Sequence, residues 1–204
     1  MEFTDLSKLS VSAEYAGRHY DDRGSFGNGS FLLPGRPTVT AIYRTDSAER
    51  VHAYLGLRSK GEPLGGEENT IEAGLTWTPA HNLNIDLAMS VRRSSGRLLH
   101  LQDQRFGIFN FKRNKPVLEV SYFPALGHSI RLVFEWVGIK AEQREAYLLA
   151  APASSLVEQE VPVGPPVDFS VSQLSMQARY RWELSPLTDL IVVYARLDDR
   201  QSGL

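Results

Sequence analysis

The residue types that carry acid–base or metal chemistry are present in this chain, but their spacing gives them little to work with. Five histidines, His19, His52, His81, His100 and His128, are scattered along it. No two stand at the short spacing that presents both rings to one metal ion. His81 and His128 fall in short turn segments and read as solvent-exposed turn residues. The absence of cysteine removes thiol catalysis, disulfides and thiolate-held metals. No glycine-rich phosphate loop leads into a helix, and no Gly-x-Ser-x-Gly elbow is present. The carboxylate pairs Asp21-Asp22, Glu67-Glu68 and Asp198-Asp199 carry oxygen donors suited to Ca²⁺. They fall in expected outer connections and read as solvated. Glu72 and Asp86 are the best acid and base candidates, but charges of this kind are mostly structural or electrostatic. No enzyme activity, cofactor or metal is expected.

The elements that hold these residues are strands. Apolar and polar residues alternate with period two. Val51, Ala53, Leu55 and Leu57 alternate with polar or small neighbours, as do Ile71, Ala73, Leu75 and Trp77. The same holds for Leu83 to Val91, Ile130 to Trp136 and Leu174 to Trp182. Leu9 to His19 and Thr38 to Arg44 add two more strands. Leu190 to Leu197 is more uniformly apolar, and Asp198 to Leu204 reads as the start of another outer loop. Arg105 to Phe123 changes phase around Arg113 to Pro116 and predicts a bulge or break. Ala141 to Ala150 is a weak helical stretch. The count is about nine strands in an all-β chain.

The connections alternate in length. Thr45 to Arg50, Thr78 to Asn82, Pro124 to His128 and Ser185 to Leu187 are short. Asp21 to Pro37, Ser59 to Asn69, Arg93 to Gln104 and Lys140 to Asp168 are long. The last of these holds the apolar run Tyr147 to Ala151 and the Pro-rich run Val161 to Pro166, expected to act as a plug or a partner-binding arm. Long connections at one end and tight turns at the other belong to an antiparallel up-and-down meander, as in outer-membrane β-barrels. Many strands reach ten residues or so, enough to cross a hydrocarbon core at a tilt. Aromatic residues followed by a proline turn recur before the short connections. On this pattern Trp77, Tyr122, Phe123 and Trp182 form a girdle at a membrane interface.

If the apolar face meets lipid, the polar face lines the interior. Glu72, Asp86, Arg131, Glu135, Arg179 and Arg181 are the expected lumen-lining residues, with both signs able to pair across water. The alternative is a soluble all-β binding module that packs the same apolar face in a sandwich and uses its long loops. A net charge of −2 excludes a strongly basic nucleic-acid binder. No apolar run reaches the length of a membrane-spanning helix, and Met1 to Ser10 lacks the pattern of a signal peptide. An antiparallel path of nine strands begins and ends in the same direction, so its ends do not close on each other. The expectation is a partial barrel of about nine or ten strands, residues 1–204 being a single barrel domain or the C-terminal portion of a larger one.

Two stretches carry a resemblance. One is Tyr122-Phe123-Pro124-Ala125 followed by His128-Ser129-Ile130-Arg131-Leu132-Val133-Phe134-Glu135-Trp136-Val137-Gly138-Ile139-Lys140-Ala141. The other runs from Gln177-Ala178-Arg179-Tyr180-Arg181-Trp182 through Glu183-Leu184-Ser185-Pro186 to Tyr194. Both resemble the C-terminal barrel of a large uncharacterised family of bacterial outer-membrane proteins with an N-terminal carbohydrate-binding family-nine-like domain. The resemblance covers the last third to half of the chain. It implies a bacterial outer-membrane location, outer-membrane lipid as a partner, and a role as a channel or a surface binding and transport component. It implies a small solute or glycan as ligand and an N-terminal part of a longer chain as a further partner. It brings no catalytic residues.

Overall fold

The computed structural model describes residues 3, 5–150, 155–159 and 167–203. Twelve strands are present among them. They are β1 (Lys8–Ala16), β2 (His19–Asp21), β3 (Phe31–Leu33), β4 (Arg36–Arg44), β5 (Val51–Gly61) and β6 (Glu67–Ala80), then β7 (Leu83–Gln102), β8 (Arg105–Tyr122), β9 (His128–Leu149), β10 (Leu156–Glu158), β11 (Phe169–Ser185) and β12 (Thr188–Gly203). The main sheet follows the order β1-β4-β5-β6-β7-β8-β9-β11-β12, with β10 beside β9. Every pair in it is antiparallel. This is the all-β meander that the alternation and the connection lengths require. The sheet is open: β1 and β12 are its two edges. β2 and β3 pair separately as a hairpin.

Four expectations change. Ala141 to Leu149 is the far end of β9, laddered to β8 and β10, because a long antiparallel partner satisfies its backbone where an isolated short helix would be marginal. Arg93 to Gln104 is mostly strand, and the turn between β7 and β8 is Asp103-Gln104 alone. Its polar run Ser94-Ser95-Gly96 is absorbed by a register shift between Ser95 and Arg97. β8 runs unbroken through Pro116. The ladder to β9 merely skips Lys115 and Pro116, since proline has no N–H to donate. β12 continues to Gly203, pairing there with Phe169, where an outer loop was expected. The Pro-rich run Val161 to Pro166 lies outside the described residues.

Among the described residues, buried apolar side chains are confined to the end of the sheet that carries the long connections. There β7, β8 and β9 extend past their neighbours, and the β2–β3 hairpin packs on them. Phe31, Leu33, Phe106, Ile108, Tyr147 and Leu149 form one buried cluster, with the Phe31 and Phe106 rings edge to face at 4.9 Å. Phe109, Phe111 and Ala141 form a second. The turn that presents Phe31 is fixed locally. The Asp21 carboxylate accepts the backbone N–H groups of Arg23 and Gly24, each at 3.0 Å.

The rest of the apolar side chains stay uncovered. Leu57, Ile71, Leu75, Leu87, Met89, Leu118 and Phe134 lie on one face, each 37–51% exposed. No second sheet covers them among the described residues.

The exposed apolar face runs diagonally across the sheet. Through the ladders, Val11 at the middle of β1's apolar stretch aligns with Ala41, Leu57, Ile71 and Val91. Val192 at the middle of β12's aligns with Tyr180, Ile130, Tyr122 and Leu83. Val91 and Leu83 are on the same strand, β7, separated by about 26 Å at ~3.3 Å per residue. The strand path between β1 and β12 spans about 38 Å at ~4.8 Å per strand. The belt therefore slopes by about 35° against the strand perpendicular, the tilt of strands in a membrane barrel.

Candidate functional site

Strand parity decides which side chains share a face. Leu75, Leu87, Leu118, Phe134 and Met176 are cross-strand partners on the apolar side. The residues between them point the other way. All six sequence-predicted lumen residues fall on that opposite, polar face: Glu72 on β6, Asp86 on β7, Arg131 and Glu135 on β9, Arg179 and Arg181 on β11.

Most of them are held by partners. Arg131 donates to Glu119 through Nε at 2.7 Å and a second guanidinium nitrogen at 2.8 Å, the two-pronged geometry that suits guanidinium to carboxylate. Glu135 pairs with Lys115 at 2.8 Å and Arg181 with Asp189 at 2.9 Å. Asp86 accepts the Thr76 hydroxyl at 2.5 Å and the Asn84 amide at 2.6 Å. Glu72 and Arg179 form no side-chain hydrogen bond or ion pair among the described residues. Glu72 and Asp86 do not make an acid–base pair. Glu72 opposes Ser90, and Ser90 is four residue steps along β7 from Asp86, about 13 Å. No cluster of metal-ligating side chains occurs among the described residues.

Three of the four expected girdle aromatics, Trp77, Tyr122 and Trp182, fall on the apolar side at the short-turn end, whereas Phe123 lines a cavity with Ser129, Arg181 and Glu183 of the polar face. Trp77 opposes Ile85 and Tyr122 opposes Leu83, two residues nearer the turn. Trp182 opposes His128, two residues beyond Ile130, the partner of Tyr122. The step of two residues for every two strands is the same slope of about 35°. Phe123 follows β8 and is half exposed. His128 is not the exposed turn residue its position suggested. It opens β9 half-buried, with Nδ1 2.7 Å from the Tyr180 hydroxyl and its ring stacked on Trp182 at 5.4 Å.

The sequence reading overlooked a further set on the polar face: Arg113, Lys115 and Glu119, all on β8. Their parity was hidden by the phase change expected at Arg113 to Pro116. Along an unbroken strand the odd-numbered positions 113, 115 and 119 lie on the face opposite Leu118.

At the long-connection end, outside the belt, Tyr147 is buried in the first cluster and donates to Glu145 at 2.9 Å. Burial, then that hydrogen bond, pushes its phenol up to about 12. No protein-family model matches the chain, and no curated protein or solved structure is significantly similar to it.

Proposed function

We propose that this chain forms the wall of a bacterial outer-membrane β-barrel and serves as a channel, or as a surface binding and transport component, for a small hydrophilic solute of the glycan kind. The single observation that carries the reading is the diagonal apolar belt. On β7 it spans Leu83 to Val91, which at the slope above is about 22 Å measured along a membrane normal, against ~25 Å for the apolar band of such barrels. A sandwich core would need a second sheet on that face. Half-exposed rows of Leu, Ile and Phe are expensive in water and favourable in lipid.

The family resemblance in Tyr122 to Ala141 and Gln177 to Tyr194 supports the same assignment and the link to carbohydrate. The two edges support a larger assembly. β1 and β12 run in the same direction, and an unpaired edge in hydrocarbon leaves backbone groups unsatisfied. Further strands, in the notional N-terminal part of a longer chain, close the wall in this reading. The mechanism is selection by charge and size along the polar face, with no reaction catalysed.

Membrane extraction tests it. The chain, expressed behind a signal peptide, is expected to stay in outer membranes through carbonate, to leave with detergent, and to show a heat-modifiable gel shift. Recovery as a soluble, cooperatively unfolding monomer would overturn the proposal.

A further inference from the structure

Three arginines stand in one cross-strand row of the polar face. The ladder aligns Ser12, Thr40, Arg58, Thr70, Arg92 and Arg113. Arg92 and Arg113 are direct neighbours, and like charges in that relation repel. Their surroundings do little to offset it. The Nε atoms of both are buried without a hydrogen-bond partner. Glu68 gives its close contact to Arg97, at 2.7 Å, and reaches Arg92 only at 3.8 Å. Arg58 and Arg113 have no ion pair among the described residues. Buried donors left unmade cost stability, and a native structure that keeps them usually has a reason.

Beside this row lies a cavity of about 330 Å³ lined by Arg58, Arg92, Thr40, Ser12, Glu14 and Glu72 among others, at the lower end of the range for small-ligand sites. We infer that it is a binding site for an acidic sugar, a hydroxyl-rich monoanion of the uronate class. The guanidinium groups offer the fork that fits a carboxylate. Thr40 and Ser12 offer hydroxyls. Glu14 and Glu72, which have no ion pair among the described residues, accept from sugar hydroxyls. Those same carboxylates disfavour a doubly charged phosphate, which narrows the ligand to a single negative charge. The inference rests on the solute-handling role proposed above and names the class of solute.

The test is titration of the detergent-folded protein with sodium glucuronate and, separately, glucose, followed by calorimetry. Glucuronate is expected to bind, more weakly as salt rises, and glucose not to bind. The R58Q/R92Q variant, which removes both guanidinium groups that line the cavity, is expected to lose glucuronate affinity at least tenfold. R23Q/R50Q, which removes the same charge from connections outside the cavity, is expected to bind as the native protein does. Without ligand, R92Q is expected to unfold at a higher temperature than the native chain, since it relieves the Arg92–Arg113 repulsion. That readout also guards against a double variant that fails to fold. Equal binding of glucuronate and glucose, no glucuronate binding, unchanged affinity in R58Q/R92Q, or a lower unfolding temperature for R92Q would each overturn the site. Carbonate extraction reports on the membrane reading independently of any ligand.

Discussion

The ring of Tyr54 fills the space above Gly74, its direct cross-strand partner on the polar face. A Cβ at Gly74 would overlap the edge of that ring. A strand-interior glycine packs no side chain of its own, and the tyrosine of the adjacent strand covers it. Gly74→Val is therefore expected to push Tyr54 out of place and to destabilise the fold by about 1–3 kcal/mol, with Gly74→Ala weaker in the same direction. Urea titration of the folded protein measures this. Equal stability of Gly74→Val and the native chain would show that Tyr54 moves freely.

Leu118→Arg places a charge at the middle of the apolar belt. It is expected to cost about 2–4 kcal/mol in folding into liposomes, against about 0–1 kcal/mol for Asn69→Arg at its rim. On a water-exposed surface both substitutions would fall within about 0.5 kcal/mol. Comparing their folding free energies separates lipid contact from solvent contact.

The tryptophans report depth. Trp77 and Trp182 mark the short-turn edge of the belt. Trp136 sits toward the other edge, with its indole N–H donating to Ser172 at 3.0 Å. In single-tryptophan variants, lipids brominated near the headgroup are expected to quench all three more strongly than lipids brominated at the chain ends. Deep quenching of Trp77 or Trp182 would remove the girdle.

Tyr147 makes the long-connection end sensitive to alkali. Its folded-state value of about 12 lies above the ordinary value of 10.0. The stabilisation it adds is therefore complete below pH 10 and lost as the pH rises from there toward 12. Ultraviolet titration is expected to show one phenol ionising near the top of that window, absent in Tyr147→Phe. The variant should also lose the steep fall in stability between those pH values. A titration curve unchanged in Tyr147→Phe would refute the assignment.

The alternation of Leu83 to Val91 or Leu174 to Trp182 settled by itself which residues share a face, because strand side chains alternate whatever the strand pairs with. It placed Glu72, Asp86, Arg131, Glu135, Arg179 and Arg181 together, and the short prolines-and-aromatics turns set the order of the meander. Pairing rescued what local pattern misread. The helical look of Ala141 to Ala150 and the phase change at Pro116 both disappear once a neighbouring strand supplies the ladder. Register is the other thing that only the tertiary structure decided. It is a relation between distant segments, adjusted at bulges such as that at Ser95, and no single strand encodes it. The slope of the belt, the burial of Phe31 against Phe106, and the meeting of Arg92 with Arg113 all follow from it.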